Sequence, residues 1–219
     1  MHGAAKCILQ HKRQVYFTTR EMRKYLFMSK VIVLTNLTLD GVMQGPAEPD
    51  EDRRGGFELG GWAAPYAAME ATGTTFASAG ALLFGRRTYE NFYAVWPKQT
   101  TSPYTEFLNT IPKYVASTTL QEPLPWSNST LLTGDAAQAV SGLKRQPGKD
   151  LLIMGSGELI QSLMRANLID DYVLLIHPLI LASGRRLFPD GGAAATLRLV
   201  ATQTSDKGVV IATYQPASP

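Results

Sequence analysis

Cysteine and histidine are scarce in this chain of 219 residues: Cys7 stands alone, and the histidines are His2, His11 and His177. One thiol builds neither a disulfide framework nor a thiolate metal site. Only His177 lies outside the first 28 residues, so a histidine metal centre or a Ser-His-Asp triad lacks its parts. No metal is expected. His177 precedes Pro178 in an apolar stretch and reads as a core residue. Long apolar runs are missing too. The longest, Tyr172–Ala182, is about half of the roughly 20 residues that cross a bilayer, and His177 and Pro178 interrupt it. The first 28 residues have no sustained apolar segment of the signal-peptide kind. A cytoplasmic protein without a membrane partner is the expectation.

Excess charge of one sign is also lacking beyond the N-terminus. The formal net charge is +3, but residues 1–28 carry six Lys/Arg against one acid, Glu21. The remaining 15 basic and 17 acidic residues leave the rest slightly acidic. The basic balance therefore argues for no nucleic-acid partner. Residues 1–28 read as a basic, poorly ordered extension or a transit peptide, and "MSKVIVLTNLTLDG" from Met28 as the natural start of the domain. One domain over residues 29–216 is expected.

Hydrophobic residues make up 45% of the chain, enough for one sizeable core. Val31–Thr35, Ala81–Phe84, Lys113–Ser117, Thr130–Thr133, Asp150–Met154 and Tyr172–Pro178 read as strands. Helices are expected over Ala63–Ala77, from Arg86 to Trp96 ahead of Pro97, over Ala136–Arg145 with Asp135 as N-cap, and over Glu158–Ala166. Leu197–Thr204 and Val209–Tyr214, joined by "SDKG", read as a terminal hairpin. Gly45–Trp62 reads as a long mobile loop. Strands alternating with helices imply a mainly parallel sheet covered on both faces, with an antiparallel C-terminal edge.

In such sheets ligands bind beyond the carboxyl ends of the strands. Three ends stand out. Gly155-Ser156-Gly157 follows a strand and opens a helix, where free N–H groups suit a phosphate and glycines allow close approach; a tight packing turn reads equally well. Gly85-Arg86-Arg87-Thr88 sets two guanidiniums at a helix start. That placement opposes the macrodipole unless an anion is bound, and arginine suits a ribose 2′-phosphate; a solvated helix start is the bland reading. Ala116–Thr119 offers the hydroxyls of Ser117 and Thr118, although turn chemistry alone accounts for them. Together the three imply an extended ligand with several phosphates, and the two arginines favour NADPH over NADH. Elsewhere Asp170-Asp171 reads as a cap or strand start, because adjacent strand residues face opposite ways. Arg185-Arg186 reads as a solvated loop or a phosphate contact.

The segments "TLDGVM", "LLFGRRTYENF", "VASTTL", "DLLIMGSGELIQSLM" and "LIDDYVLLIHPLILASGRRLF" resemble the dihydrofolate reductase superfamily over about Lys30–Tyr214. They are most similar to the reductase domain of bacterial riboflavin biosynthesis. The resemblance implies a three-layer α/β/α fold around a mixed sheet, bound NADPH and a homodimer. It would place Gly85, Arg86, Arg87 and Thr88 on the adenosine phosphates, and Ser117 and Thr118 on the 2′-phosphate and adenine. Gly155, Ser156, Gly157, Glu158 and Leu159 would lie along the pyrophosphate and nicotinamide side. The carboxylate with which folate reductases hold the pterin on their first helix is not matched: the start of that region has Trp62, Pro65 and Tyr66 with no acid, Glu58 lies before it and Glu70 more than a helical turn beyond, which argues against folate. Asp40 of "TLDG" is a candidate substrate contact or proton relay, or else a turn stabiliser. Trp62 and Tyr66 are candidate substrate contacts. The function implied is an NADPH-dependent reductase acting on a small heterocycle or carbonyl, with the 45–62 loop as a lid. Alternatives are a non-catalytic NADP-binding protein and a purely structural dimerising domain.

Overall fold

The alternation of inward and outward side chains along β1 (Val31–Thr38) dictates the layering. Val31 and Val33 enter one core, while Ile32 and Leu34 enter another on the opposite face. The same division recurs in β2 (Ala79–Gly85), β5 (Asp150–Met154) and β6 (Asp171–His177). Buried on both faces, these strands need covering layers, and the result is the three-layer arrangement expected. The computed structural model describes residues 28–66, 72–100, 102 and 104–217. The basic N-terminal extension lies outside these residues, apart from Met28.

With β3 (Lys113–Ala116), β4 (Ser129–Leu132), β7 (Leu197–Thr204) and β8 (Val210–Pro216), the sheet has eight strands in the order β4-β3-β2-β5-β1-β6-β8-β7. Its pairs are parallel up to β6, and β8 and β7 add antiparallel to that edge. The helices are α1 (Gly73–Ser78), α2 (Arg86–Val95), α3 (Thr105–Thr110), α4 (Ala136–Lys144) and α5 (Gly157–Arg165). Asp135 caps α4 as expected, accepting from the Gln138 N–H at 2.8 Å.

The structure departs from expectation at three places. First, β1 runs to Thr38, because its parallel pairing with β6 continues to Thr38 opposite His177. Second, the helix expected over 63–77 is not continuous: a 3₁₀ turn occupies Ala64–Tyr66 and α1 starts at Gly73, while residues 67–71 lie outside the description. Third, the 45–62 loop is anchored. Phe57 and Trp62 are buried against Val42, and the Trp62 indole N–H donates to the Gln44 carbonyl at 2.7 Å. The Gln44 amide in turn donates to the carbonyls of Asp52 and Arg54. Two large apolar side chains outweigh the Gly/Pro composition that suggests freedom.

Asp170 and Asp171 are tethers. Asp170 accepts from the Val31 N–H at 2.7 Å and pairs with Lys144, and Asp171 pairs with Lys30 at 3.1 Å.

Candidate functional site

A cleft of about 1610 Å³ opens at the carboxyl ends of β1, β2, β3 and β5. Its floor is made where two strand-to-helix turns are stitched together. The Gly85 N–H donates to Ser156 Oγ at 3.0 Å, and the Ser156 N–H donates to Thr88 Oγ1 at 3.1 Å. Ser156 is thereby held in the left-handed region, at φ 58° and ψ 46°, a conformation that costs a non-glycine residue on the order of 1–2 kcal/mol. Gly155 precedes it at φ 63°.

The glycines of this turn make room first for the protein itself. A Cβ on Gly155 would approach Thr88 Cγ2 at 3.3 Å, and one on Gly157 would meet Met43 Sδ at 2.7 Å. The thioether lies beside the opening turn of α5. Being the end of a flexible side chain, it can move aside. The amides of Gly157, Glu158 and Leu159 have no intrahelical acceptor, as at any helix start.

All eleven residues expected to hold a cofactor line this one cleft: Gly85, Arg86, Arg87, Thr88, Ser117, Thr118, Gly155, Ser156, Gly157, Glu158 and Leu159. The cleft is rich in guanidinium groups, with seven arginines and five carboxylates along its walls. Arg86 pairs with Glu90 one helical turn on, at 3.1 Å, and Arg87 pairs with Glu158 at 3.5 Å. The Ser117 hydroxyl accepts from the N–H groups of Thr119 and Leu120, so it serves its own turn as well as facing the cleft.

The three residues expected at the substrate do not line the cleft. Asp40 is committed elsewhere. Its carboxylate accepts from the Thr38 hydroxyl at 2.6 Å and from the amides of Leu181 and Ala182 at 3.2 and 2.9 Å. The Thr38 hydrogen bond is the largest of the effects holding its pKa below the usual carboxylate range. Asp40 thus ties the 38–41 turn to the segment after β6, which is the turn-stabilising role. Trp62 and Tyr66 pack edge-on against the His177 ring, at 5.2 and 5.0 Å between centroids.

They back a residue the sequence reading missed. Asn36, in β1, lines the cleft, and its Oδ1 lies 2.9 Å from His177 Nε2. Burial pushes the imidazole down to about 4, so the ring is neutral near pH 7. With Asn36 Oδ1 as acceptor, Nε2 carries the hydrogen, and buried Nδ1 has no partner among the described residues. The available signal was one amide inside the otherwise apolar and β-branched run VIVLTNLT. Arg54 and Arg185, also in the lining, were missed or left open because their loops have no periodicity.

His177 carries a pH prediction. Its imidazole titrates near 6.5 when unfolded and about 4 when folded, so the unfolded chain binds more protons between those values. Stability is full above pH 6.5 and falls as the pH drops, by about 2 kcal/mol between pH 7.5 and 5. Urea midpoints should show this fall in the parent protein and a shallower one in His177→Gln. Burial moves Glu51 upward, and that works in the opposite sense, so the difference between the two proteins is the quantity to measure.

No group of three or more metal-ligating side chains occurs among the described residues, and no helix there is long and apolar enough to cross a membrane. Comparison with known proteins supports the fold. An uncharacterized protein of Bacillus subtilis, YyaP, is 32% identical over 139 residues, which is 61% of this chain and 72% of that protein. A putative riboflavin biosynthesis protein from Shewanella sp. PV-4 superposes with a TM-score of 0.61 at 20% identity, covering 86% of this chain and 99% of that one. A dihydrofolate reductase from Enterococcus faecalis, solved with NADP(H), superposes with a TM-score of 0.56 at 14% identity, covering 88% and 99%. The sequence profile of the RibD C-terminal domain matches residues 29–211, and the chain, with its dihydrofolate reductase-like fold, belongs to the RibD C-terminal domain family.

Proposed function

We propose that the protein is an NADPH-dependent reductase acting on a small heterocyclic or carbonyl compound, similar in reaction class to the 5-amino-6-(5-phosphoribosylamino)uracil reductases. The observation that carries this reading is the convergence of the Gly85–Thr88, Ser117–Thr118 and Gly155–Leu159 segments on one arginine-rich cleft. The residues fit the group. Ser156 stitches the two turns together, unpaired amides open α5, and the volume accommodates a dinucleotide.

When bound, NADPH supplies a hydride from its nicotinamide ring. The chain supplies position. Arg86 and Arg87 would hold phosphate oxygens, giving up pairings with Glu90 and Glu158 that exposed geometry makes worth little. Ser117 and Thr118 would flank the adenosine end, and the first turn of α5 would take the pyrophosphate. The apolar wall of Leu34, Met154, Phe92 and Leu175 would exclude water from the reacting end, where Asn36 offers its amide N–H groups. Asp40 is assigned no proton transfer here, because its carboxylate is consumed by the 38–41 turn.

The test is a fluorescence titration of the protein with NADPH and NADH, repeated on Arg86→Ala and Arg87→Ala. The expected result is tighter binding of NADPH, with the preference reduced about tenfold or more in each variant, since a charge-assisted phosphate contact contributes roughly 1.5–3 kcal/mol. Failure of the parent protein to bind either nucleotide would overturn the reading.

A further inference from the structure

At the mouth of the cleft three guanidinium groups from three separate segments surround one carboxylate. Arg185, after β6, lies 3.3 Å from Glu158 Oε1. Arg87, in the first turn of α2, lies 3.5 Å away, and Arg54, in the 45–62 loop, 3.9 Å. The Glu158 side chain is 74% exposed, so neither packing nor burial holds it there. Arg54 also pairs with Asp52. Arg87 and Arg185 have Glu158 as their ion-pair partner, and one carboxylate leaves an excess of positive charge.

Exposed ion pairs contribute about 0–1 kcal/mol each. That is little return for ordering three long side chains around one acid, and a better-matched anion would gain more. A phosphate carries up to two negative charges and three acceptor oxygens, and guanidinium forks bind it in bidentate fashion. The opening turn of α5, to which Glu158 belongs, adds its positive end to the same region. A carboxylate beside a phosphate would repel it, which makes Glu158 an odd neighbour for a bound dinucleotide unless it moves.

We infer that Arg54, Arg87 and Arg185 form an anion site for a phosphate monoester or diphosphate group, and that the Glu158 carboxylate occupies the site until such a group displaces it. The inference deepens the proposed function and rests on it for the ligand's identity. The chain carries its own competitor. Glu158 partly offsets the charge of the arginines when the cleft is free of ligand and swings into solvent when a phosphate arrives, at small cost because it is unpacked. It thereby sets the affinity of the cleft.

The test uses the full chain and two probes, inorganic pyrophosphate and NADPH, titrated by calorimetry into the parent protein, Glu158→Gln, Glu158→Ala, Arg54→Ala and Arg185→Ala. Both Glu158 variants should bind pyrophosphate about tenfold more tightly, and the two arginine variants several-fold more weakly. Unchanged or weaker pyrophosphate binding in both Glu158 variants would overturn the inference, and thermal unfolding of each variant checks that the fold is intact. Tighter pyrophosphate binding with no affinity for NADPH would overturn the dinucleotide reading while the anion site stands. NADPH binding that depends on Arg86 yet ignores Glu158 would sink the competitor and leave the reductase.

Discussion

Gly184→Ala is expected to lower stability by about 3 kcal/mol, a large change for a single methyl group. Two effects add. Gly184 has φ +109°, a backbone region that side chains rarely adopt, at a cost of roughly 1–3 kcal/mol. Its new Cβ would also lie 2.8 Å from both Phe57 Cε2 and Val42 Cγ1, which form the small core under the 45–62 loop. Phe57 cannot retreat freely, because it is buried. The strain falls on the cleft, since Arg185 follows directly: its N–H donates to Gln44 Oε1 at 2.9 Å and its carbonyl accepts from the Met43 N–H at 2.9 Å. A chain of this size should lose roughly 6–12 °C in unfolding temperature. Gly191→Ala is the matched control. That residue has φ +71° and open space around its Cα, so it should show only the smaller backbone cost of about 1 kcal/mol. Equal losses in the two variants would show that the contact with Phe57 and Val42 is unimportant.

Lys113→Met should cost about 3–4 kcal/mol, through unpaired carbonyls rather than lost volume. Lys113 opens β3 and is fully buried. Its ammonium donates to the carbonyls of Ile111 at 2.8 Å, Ser127 at 3.2 Å and Asn109 at 3.3 Å, and it lies 4.4 Å from the Trp126 ring centroid. Burial pushes Nζ down to about 8, still above neutral pH, so the charged form persists there and serves all three acceptors. Methionine fills much the same space and donates nothing. The carbonyls belong to the end of α3 and to the segment entering β4, so the loss is felt where the edge strands join the sheet. Chemical unfolding should show a lower midpoint with an unchanged slope. A loss below 1 kcal/mol would mean that water reaches these carbonyls and the lysine is dispensable.

What the sequence determined alone had short-range causes. Val31–Leu34, Leu82–Phe84 and Leu151–Ile153 had to be buried on both faces, because apolar residues follow one another without alternation, and that requires a covered parallel sheet. Glycines and arginines at strand ends marked one wall of the cleft, because strand-to-helix turns place them at the carboxyl edge of the sheet. Tertiary structure decided the rest, because the deciding contacts join residues far apart in the chain. Asp40 looked available until its acceptors were consumed by amides some 140 positions away. Asn36 is a lone amide in sequence, and only the β1–β6 pairing brings it within hydrogen-bond distance of His177. Arg54, Arg87 and Arg185 are three unrelated charges along the chain. Only the folding of the 45–62 loop, the start of α2 and the segment after β6 around Glu158 makes them one electrostatic site, because like charges gather where the backbone holds them and an anion offsets their repulsion.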